Sequence, residues 1–189
     1  ANSIEQRKQL RAGDTVRVEM GTGELFTHDK GQGFTLHLRI LRDGELVWSA
    51  TQSLLRVGVK ETSGQPFASQ LALDTSLSCQ TEFSAPADIG RSYGAVSGDR
   101  NPIHLAAVTA KLFGFKRAIA HGMWTKARAL SYLLPATALE QTSASVEFKT
   151  PLLLPGRAAL WTERSAHGAQ FEVRDKKGLR PHLRGQLSN

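Results

Sequence analysis

Residues 93–134 read YGAVSGDRNPIHLAAVTAKLFGFKRAIAHGMWTKARALSYLL, and the fold is decided by how this stretch is read. Its second part, Met123 to Leu134, is apolar on more than one face, the mark of a helix buried on several sides rather than laid on a surface. Pro135 stops it. In the first part Asn101 precedes Pro102, and proline is tolerated at a first helical position because that N–H has no intrahelical partner. Asn101 therefore reads as an N-cap and His104 as a first-turn residue. Asp99 then stands just outside a helix whose first turn presents an imidazole, so a carboxylate and a base can face one pocket, which is a general acid/base arrangement.

Seventeen residues after His104 comes His121-Gly122-Met123, the opening of the buried helix. The first N–H groups of a helix lack intrahelical acceptors and carry the positive end of its dipole, so they can receive a developing oxyanion. Gly122 lets a ligand approach that backbone closely.

Outside this stretch the chain reads as strands. Residues 14–20 alternate apolar and polar, and the run from Gly33 to Leu55 reads as two strands joined at Asp43-Gly44, a dipeptide suited to a tight primed turn. Residues 58–77 contain Gly64 and Pro66 and read as a linker or covering loop. SLSCQTEFSA follows as a strand, and residues 86–97 as a short helix or turn. Beyond Pro135, QTSASVEFKT, RAALWTER, AQFEVRD and HLRGQLS alternate in strand fashion, the last two parted by a Lys177-Gly178 turn. Strands, then helices, then strands favour an α+β domain in which an antiparallel sheet wraps one buried helix. The N-terminal strands also resemble the C-terminal ones in order and spacing, a weak internal repeat whose first copy has no helix of its own. Strands that merely look alike explain this about as well as a true duplication.

The 189 residues suffice for one good core or two small ones. With 40% hydrophobic and 22% charged residues the chain is an ordinary globular one. Uninterrupted apolar runs reach only about four residues, against the ~20 that span a bilayer. The polar opening, ANSIEQRKQLRAGD, shows no signal peptide, so a cytoplasmic setting is expected. Cys79 is the sole cysteine, which excludes an internal disulfide and a thiolate cluster for zinc; in a strand-like run without a nearby histidine it reads as a buried structural thiol. Trp48, Trp124 and Trp161 read as core residues, and His28, His37, His167 and His182 have no metal-ligand spacing and are assigned no role.

The net charge of +7 is unevenly placed. From Arg100 to Arg128 stand six basic residues (Arg100, Lys111, Lys116, Arg117, Lys126, Arg128) and no acidic one. Solvated helix faces are one reading, and attraction of a phosphate-bearing ligand or an acidic carrier protein is another. Nucleic-acid binding is disfavoured by sparse aromatics and the lack of a recognition motif.

Tyr93, then Val96-Ser97-Gly98-Asp99-Arg100-Asn101-Pro102-Ile103-His104, Phe113-Gly114-Phe115 and Ile119-Ala120-His121-Gly122-Met123 closely resemble the MaoC-like hydratases and dehydratases. The resemblance implies the hot-dog fold, here with a catalytic unit over 78–189 and a strand-rich segment over 1–77 that would be an incomplete unit of a double hot dog. It implies (R)-specific hydration of trans-2-enoyl thioesters, or the reverse dehydration, with coenzyme A or acyl carrier protein as part of the substrate and neither metal nor other cofactor. Carried over by motif, Asp99 and His104 are the catalytic pair and Gly122 supplies the oxyanion N–H. Tyr93, Asn101, His121, Met123, Arg100 and Lys126 are then the expected substrate-binding residues. Ala106 stands where many relatives carry an acidic residue, and Leu130 beside Ser131 where many carry a serine; both departures bear on the acyl pocket rather than on the acid/base pair. The family's habit of pairing hot dogs edge to edge implies a homodimer, and neither a nucleic-acid nor a membrane partner is expected.

Taken alone, Asp99 reads as a turn residue in Ser-Gly-Asp, His104 as an ordinary first-turn residue and His121 as a cap or packing residue. Their joint occurrence favours chemistry. A hot-dog thioesterase, or a subunit that binds acyl thioesters without turnover, are the competing expectations.

Overall fold

The computed structural model describes residues 1–69, 71 and 76–189. Ten strands form one sheet: β1 (Asn2–Gln6), β2 (Arg17–His28), β3 (Gly31–Arg42), β4 (Glu45–Val57), β5 (Gln65–Pro66), β6 (Ser78–Ala85), β7 (Thr142–Phe148), β8 (Gly156–Ser165), β9 (Gly168–Asp175) and β10 (Pro181–Ser188). Four helices lie between β6 and β7: α1 (Ile89–Ser97), α2 (Pro102–Leu105), α3 (Ala107–Leu112) and α4 (Gly122–Leu133).

The strand order is β5-β2-β3-β4-β1-β7-β10-β9-β8-β6, and all pairings are antiparallel except the two-residue β2–β5 contact. The order is mirrored about its centre. The β2–β3–β4 meander on one side answers β8–β9–β10 on the other, which are the segments that read as a repeat. The halves meet where β1 pairs with β7, Ile4 opposite Ala144, and where Ser3 Oγ lies 2.8 Å from Ser145 Oγ.

The β3–β4 turn is the expected one, with Asp43 at φ 53° and Gly44 at φ 80°. One strand has no counterpart in the sequence reading, and two expectations change. β1 is a central strand although its sequence, NSIEQ, is polar; it is held by ladders on both edges rather than by an apolar face. The strand expected over 14–20 continues as β2 to His28, through Gly21 and Gly23. Cys79 is exposed rather than buried, because the register slips between Cys79 and Thr81 on edge strand β6 and breaks the alternation that buries Phe83 and Ala85. Part of the expected covering loop, Gln70 and residues 72–75, lies outside the described residues.

The core lies between α4 and the C-terminal half of the sheet. Ala129 and Leu133 of α4 join Val146, Leu160, Phe171, Val173 and Leu183 in one buried cluster, with Trp124 packed against it. Trp48 and Trp161 are only half-buried; Arg174 lies 4.6 Å from the Trp161 ring. This is the sheet-wrapped helix that the sequence implies. Among the described residues no helix is long and apolar enough to cross a membrane.

Candidate active site

The site begins with how α1 ends. Gly98 takes the left-handed conformation, φ 77°, and its N–H donates to Gly94 O, so the chain leaves the helix sharply and Asp99 follows outside it. The Asp99 Oδ1 accepts from the Asn101 N–H at 3.1 Å, and Asn101 Oδ1 accepts from the Ile103 N–H at 3.4 Å, the expected cap of α2. The whole loop is drawn tightly onto α1 because α1 carries glycines four residues apart, on one face. A Cβ at Gly90 would lie 1.9 Å from His104 O, and one at Gly94 2.8 Å from Asp99 O.

His104 is buried, and its Nδ1–H donates to Ile119 O at 2.8 Å. That bond fixes the tautomer and leaves Nε2 with its lone pair. Burial and the neighbouring His121 hold its pKa below the ordinary imidazole value, against the opposing pull of the Ile119 bond and Asp99. The Asp99 side chain is about half exposed. A carboxylate oxygen of Asp99 and ring nitrogens of His104 and His121 fall within 4.8 Å of one another.

His121 ties these parts together. Its ring stacks on that of His104 with centroids 3.7 Å apart, and Tyr93 lies 5.0 Å away on a tilted ring. Its Nε2–H donates to the Asp99 carbonyl at 3.0 Å, and it sits at the N-cap of α4 without making a side-chain cap bond. One imidazole thus fixes the Asp99 loop, the His104 ring and the start of the helix whose first amide belongs to Gly122. His121→Gln retains a donor for the Asp99 carbonyl and loses the stack; His121→Phe does the reverse. Each is expected to lower kcat about tenfold with KM little changed, the size of one hydrogen bond or one ring contact, and steady-state kinetics on the short enoyl thioester that the family resemblance implies checks it.

Asp99, His104, His121, Gly122, Met123 and Tyr93 all line one cavity of about 560 Å³. Gly122 stands at the first position of α4, where an N–H has no intrahelical acceptor, and a Cβ there would lie 2.8 Å from the Phe148 ring. Burial raises the Tyr93 pKa, with Asp99 adding to it.

Three expected binding residues lie elsewhere. Lys126 is 2% exposed, and its Nζ donates to Asn2 Oδ1 at 2.6 Å and to Ala144 O at 2.9 Å. It falls on the buried stripe of α4 with Ala129 and Leu133, so its stem runs into the protein rather than toward the cavity. Arg100 is exposed beside the cavity without lining it, and Asn101 spends its side chain on the α2 cap. Conversely, Gln52, Ser53 and Leu54 of the N-terminal half line the cavity, as do Lys149, Thr150 and His182. His182, assigned nothing from the sequence, has its pKa lowered by burial. None of these six carries a local signal, because each reaches the cavity through pairing of distant strands.

A profile of the MaoC like domain matches residues 60–180 of the chain. The chain belongs to the MaoC-like family. A relative from Mycobacterium tuberculosis named 3-hydroxyacyl-thioester dehydratase X is 32% identical over 183 residues, which are 96% of this chain and 65% of that protein. The chain thus spans just under two thirds of the relative's length. The crystal structure of HtdX from Mycobacterium tuberculosis superposes with a TM-score of 0.81 at 29% identity, covering 100% of this chain and 74% of that one. A MaoC-like dehydratase from Phytophthora capsici, 17% identical, matches with a TM-score of 0.79 over 99% of this chain and 69% of its own, a likeness of fold. The MaoC-like chain described here is accordingly a hot dog in which the antiparallel sheet curls around α4.

Proposed function

We propose that this protein is a hydro-lyase that reversibly hydrates trans-2-enoyl thioesters to (R)-3-hydroxyacyl thioesters. The observation that carries the reading is the convergence of the Asp99 carboxylate, the His104 imidazole and the Gly122 amide on one cavity. A water held between Asp99 and His104 Nε2 loses a proton to the pair as its oxygen bonds to Cβ of the substrate. The pair returns one proton to Cα. Negative charge that gathers on the thioester oxygen meanwhile meets the Gly122 N–H and the positive end of α4, donors already oriented before the reaction. Dehydration runs the same steps backward. Protons are the only species transferred besides water, so the proposed chemistry calls for neither metal nor redox cofactor. The relative's name, a 3-hydroxyacyl-thioester dehydratase, supports the same reaction.

In this proposal residues 78–189 form the catalytic unit and residues 1–77 a degenerate one that completes the cavity wall. The protein is a cytoplasmic homodimer: β5 and β6 are the outer strands of the sheet, and open strand edges favour a partner. Sedimentation of the purified protein reads the assembly.

The deciding experiment follows loss of the enoyl absorbance beside thiol release on a short enoyl-CoA, with chiral analysis of the product. Absorbance loss without thiol release, giving the (R)-alcohol, is expected. Free thiol in step with substrate loss would make the protein a thioesterase, and binding without turnover a non-catalytic acyl-thioester subunit.

A further inference from the structure

The helices leave one surface that the cavity chemistry does not use. Residues 100–117 carry Arg100, Lys111, Lys116 and Arg117 and no acidic residue. All four cations are exposed, and among the described residues none of them is in an ion pair. Between them stand Val108, Leu112 and Phe113, exposed at 75%, 81% and 61%. Val108 and Leu112 are four residues apart on α3 and share a face of it. Apolar side chains set among unpaired cations are the composition of an interface with an acidic partner.

The surface is continuous with the site. Thr109 Oγ1 donates to Pro102 O at 2.6 Å, which holds α3 against the start of α2, and Ile119 N–H donates to Ile103 O at 3.1 Å, which closes the lobe at its other end. Arg100 follows Asp99 directly, and both Ser97 and Asp99 line the cavity.

We propose that this α3 lobe is the docking face for an acidic carrier protein that presents the thioester on a phosphopantetheine arm, a proposal that rests on the hydro-lyase reading above. Charge selects the occupant. A second copy related by a two-fold axis would set four cations against the same four, which is repulsive. The nucleotide of coenzyme A supplies phosphates for the cations but leaves the Val108 and Leu112 face of a convex helix in water. An acidic helix with a few apolar residues answers both features, and its field raises the rate of encounter.

The test uses one trans-2-butenoyl group on three carriers: a bacterial acyl carrier protein, coenzyme A and N-acetylcysteamine. The Lys111→Glu/Leu112→Ser variant touches neither the acid/base pair nor the cavity lining. It is expected to lower kcat/KM at least tenfold on the carrier protein and to leave the N-acetylcysteamine thioester unchanged. The wild-type rate on the carrier protein should also fall as salt rises. Binding of the carrier protein bearing its unacylated arm is titrated alongside, so that docking is read without turnover. An unchanged rate on the carrier protein, or an equal loss on the coenzyme A thioester, overturns the docking proposal while the hydro-lyase reading stands. If the wild type turns over none of the three, the reading of the reaction fails; carrier binding that the variant abolishes would then still support the docking face, and absent binding would end it.

Discussion

Asp99→Asn and His104→Gln are each expected to reduce hydration of a short enoyl-CoA by about three to four orders of magnitude, near the upper range for a positioned acid or base, while leaving the fold intact. Both substitutions keep size and hydrogen-bonding capacity. Asparagine can still accept from the Asn101 N–H, as Asp99 Oδ1 does at 3.1 Å. Glutamine can still place an amide near Ile119 O. What each loses is the ability to exchange a proton with water. Circular dichroism and the urea midpoint should match the wild type, and the loss should appear in kcat rather than KM. The pH profile supplies a second reading. His104 must be neutral to accept a proton, and burial places its pKa below the ordinary 6.5, so the acid limb of kcat/KM is expected below that value. Near-wild-type rates in both variants would remove the mechanism.

Lys126 gives the second large effect, on stability rather than on rate. Its ammonium is sealed between α4 and the β1–β7 seam, bonded to Asn2 Oδ1 and Ala144 O, and among the described residues it has no carboxylate partner. Burial pushes its pKa down from 10.5 to about 8. Between those values the unfolded chain binds the proton and the folded protein does not, so stability rises as pH climbs from about 8 toward 10.5 and is level above it. The shift corresponds to a gain of ~3 kcal/mol across that window. Lys126→Met should lack it. Near neutral pH that variant sheds a buried charge but strands two acceptors, at about 1–3 kcal/mol each, so it should lie close to the wild type there and fall behind at high pH. Urea denaturation of both proteins at several pH values makes the comparison; parallel curves would show that Lys126 is not the titrating group.

Lys126 also shows what one-dimensional pattern conceals. In the sequence it stands in a basic run with Arg100, Lys111, Lys116, Arg117 and Arg128 and looks like a ligand for phosphate. In the fold the 3.6-residue period turns it to the same side as Ala129 and Leu133. The features that were legible are those whose physics is local. Asp43-Gly44 determines its own turn, Asn101-Pro102 its own helix start, and the run of α4 its own burial. The placement of Asp99, His104 and the Gly122 amide was legible for the same reason, since each sits at a helix end marked by Gly98, Asn101 or Gly122. What could not be read depends on partners far away. β1 is polar and gains meaning only between β4 and β7. Cys79 is exposed by a slip in register against β8. Gly90 and Gly94 stand in a segment that reads as a short helix or turn, yet their four-residue spacing is what admits the backbone of the loop carrying Asp99 and His104. That spacing is a usable signal. His182 and Ser53 offered none.

The seam between the halves governs when the protein can first work. Ser3 meets a partner 142 positions further along, and the strand bearing Gln52, Ser53 and Leu54 is laddered to β1, which joins it to β7. Bringing such distant pieces together is slow compared with winding a helix or closing a hairpin. Asp99, His104 and Gly122 can all be in place while the chamber still has one side open to water. Closure of the chamber therefore waits on the pairing of β1 with β7 across that separation.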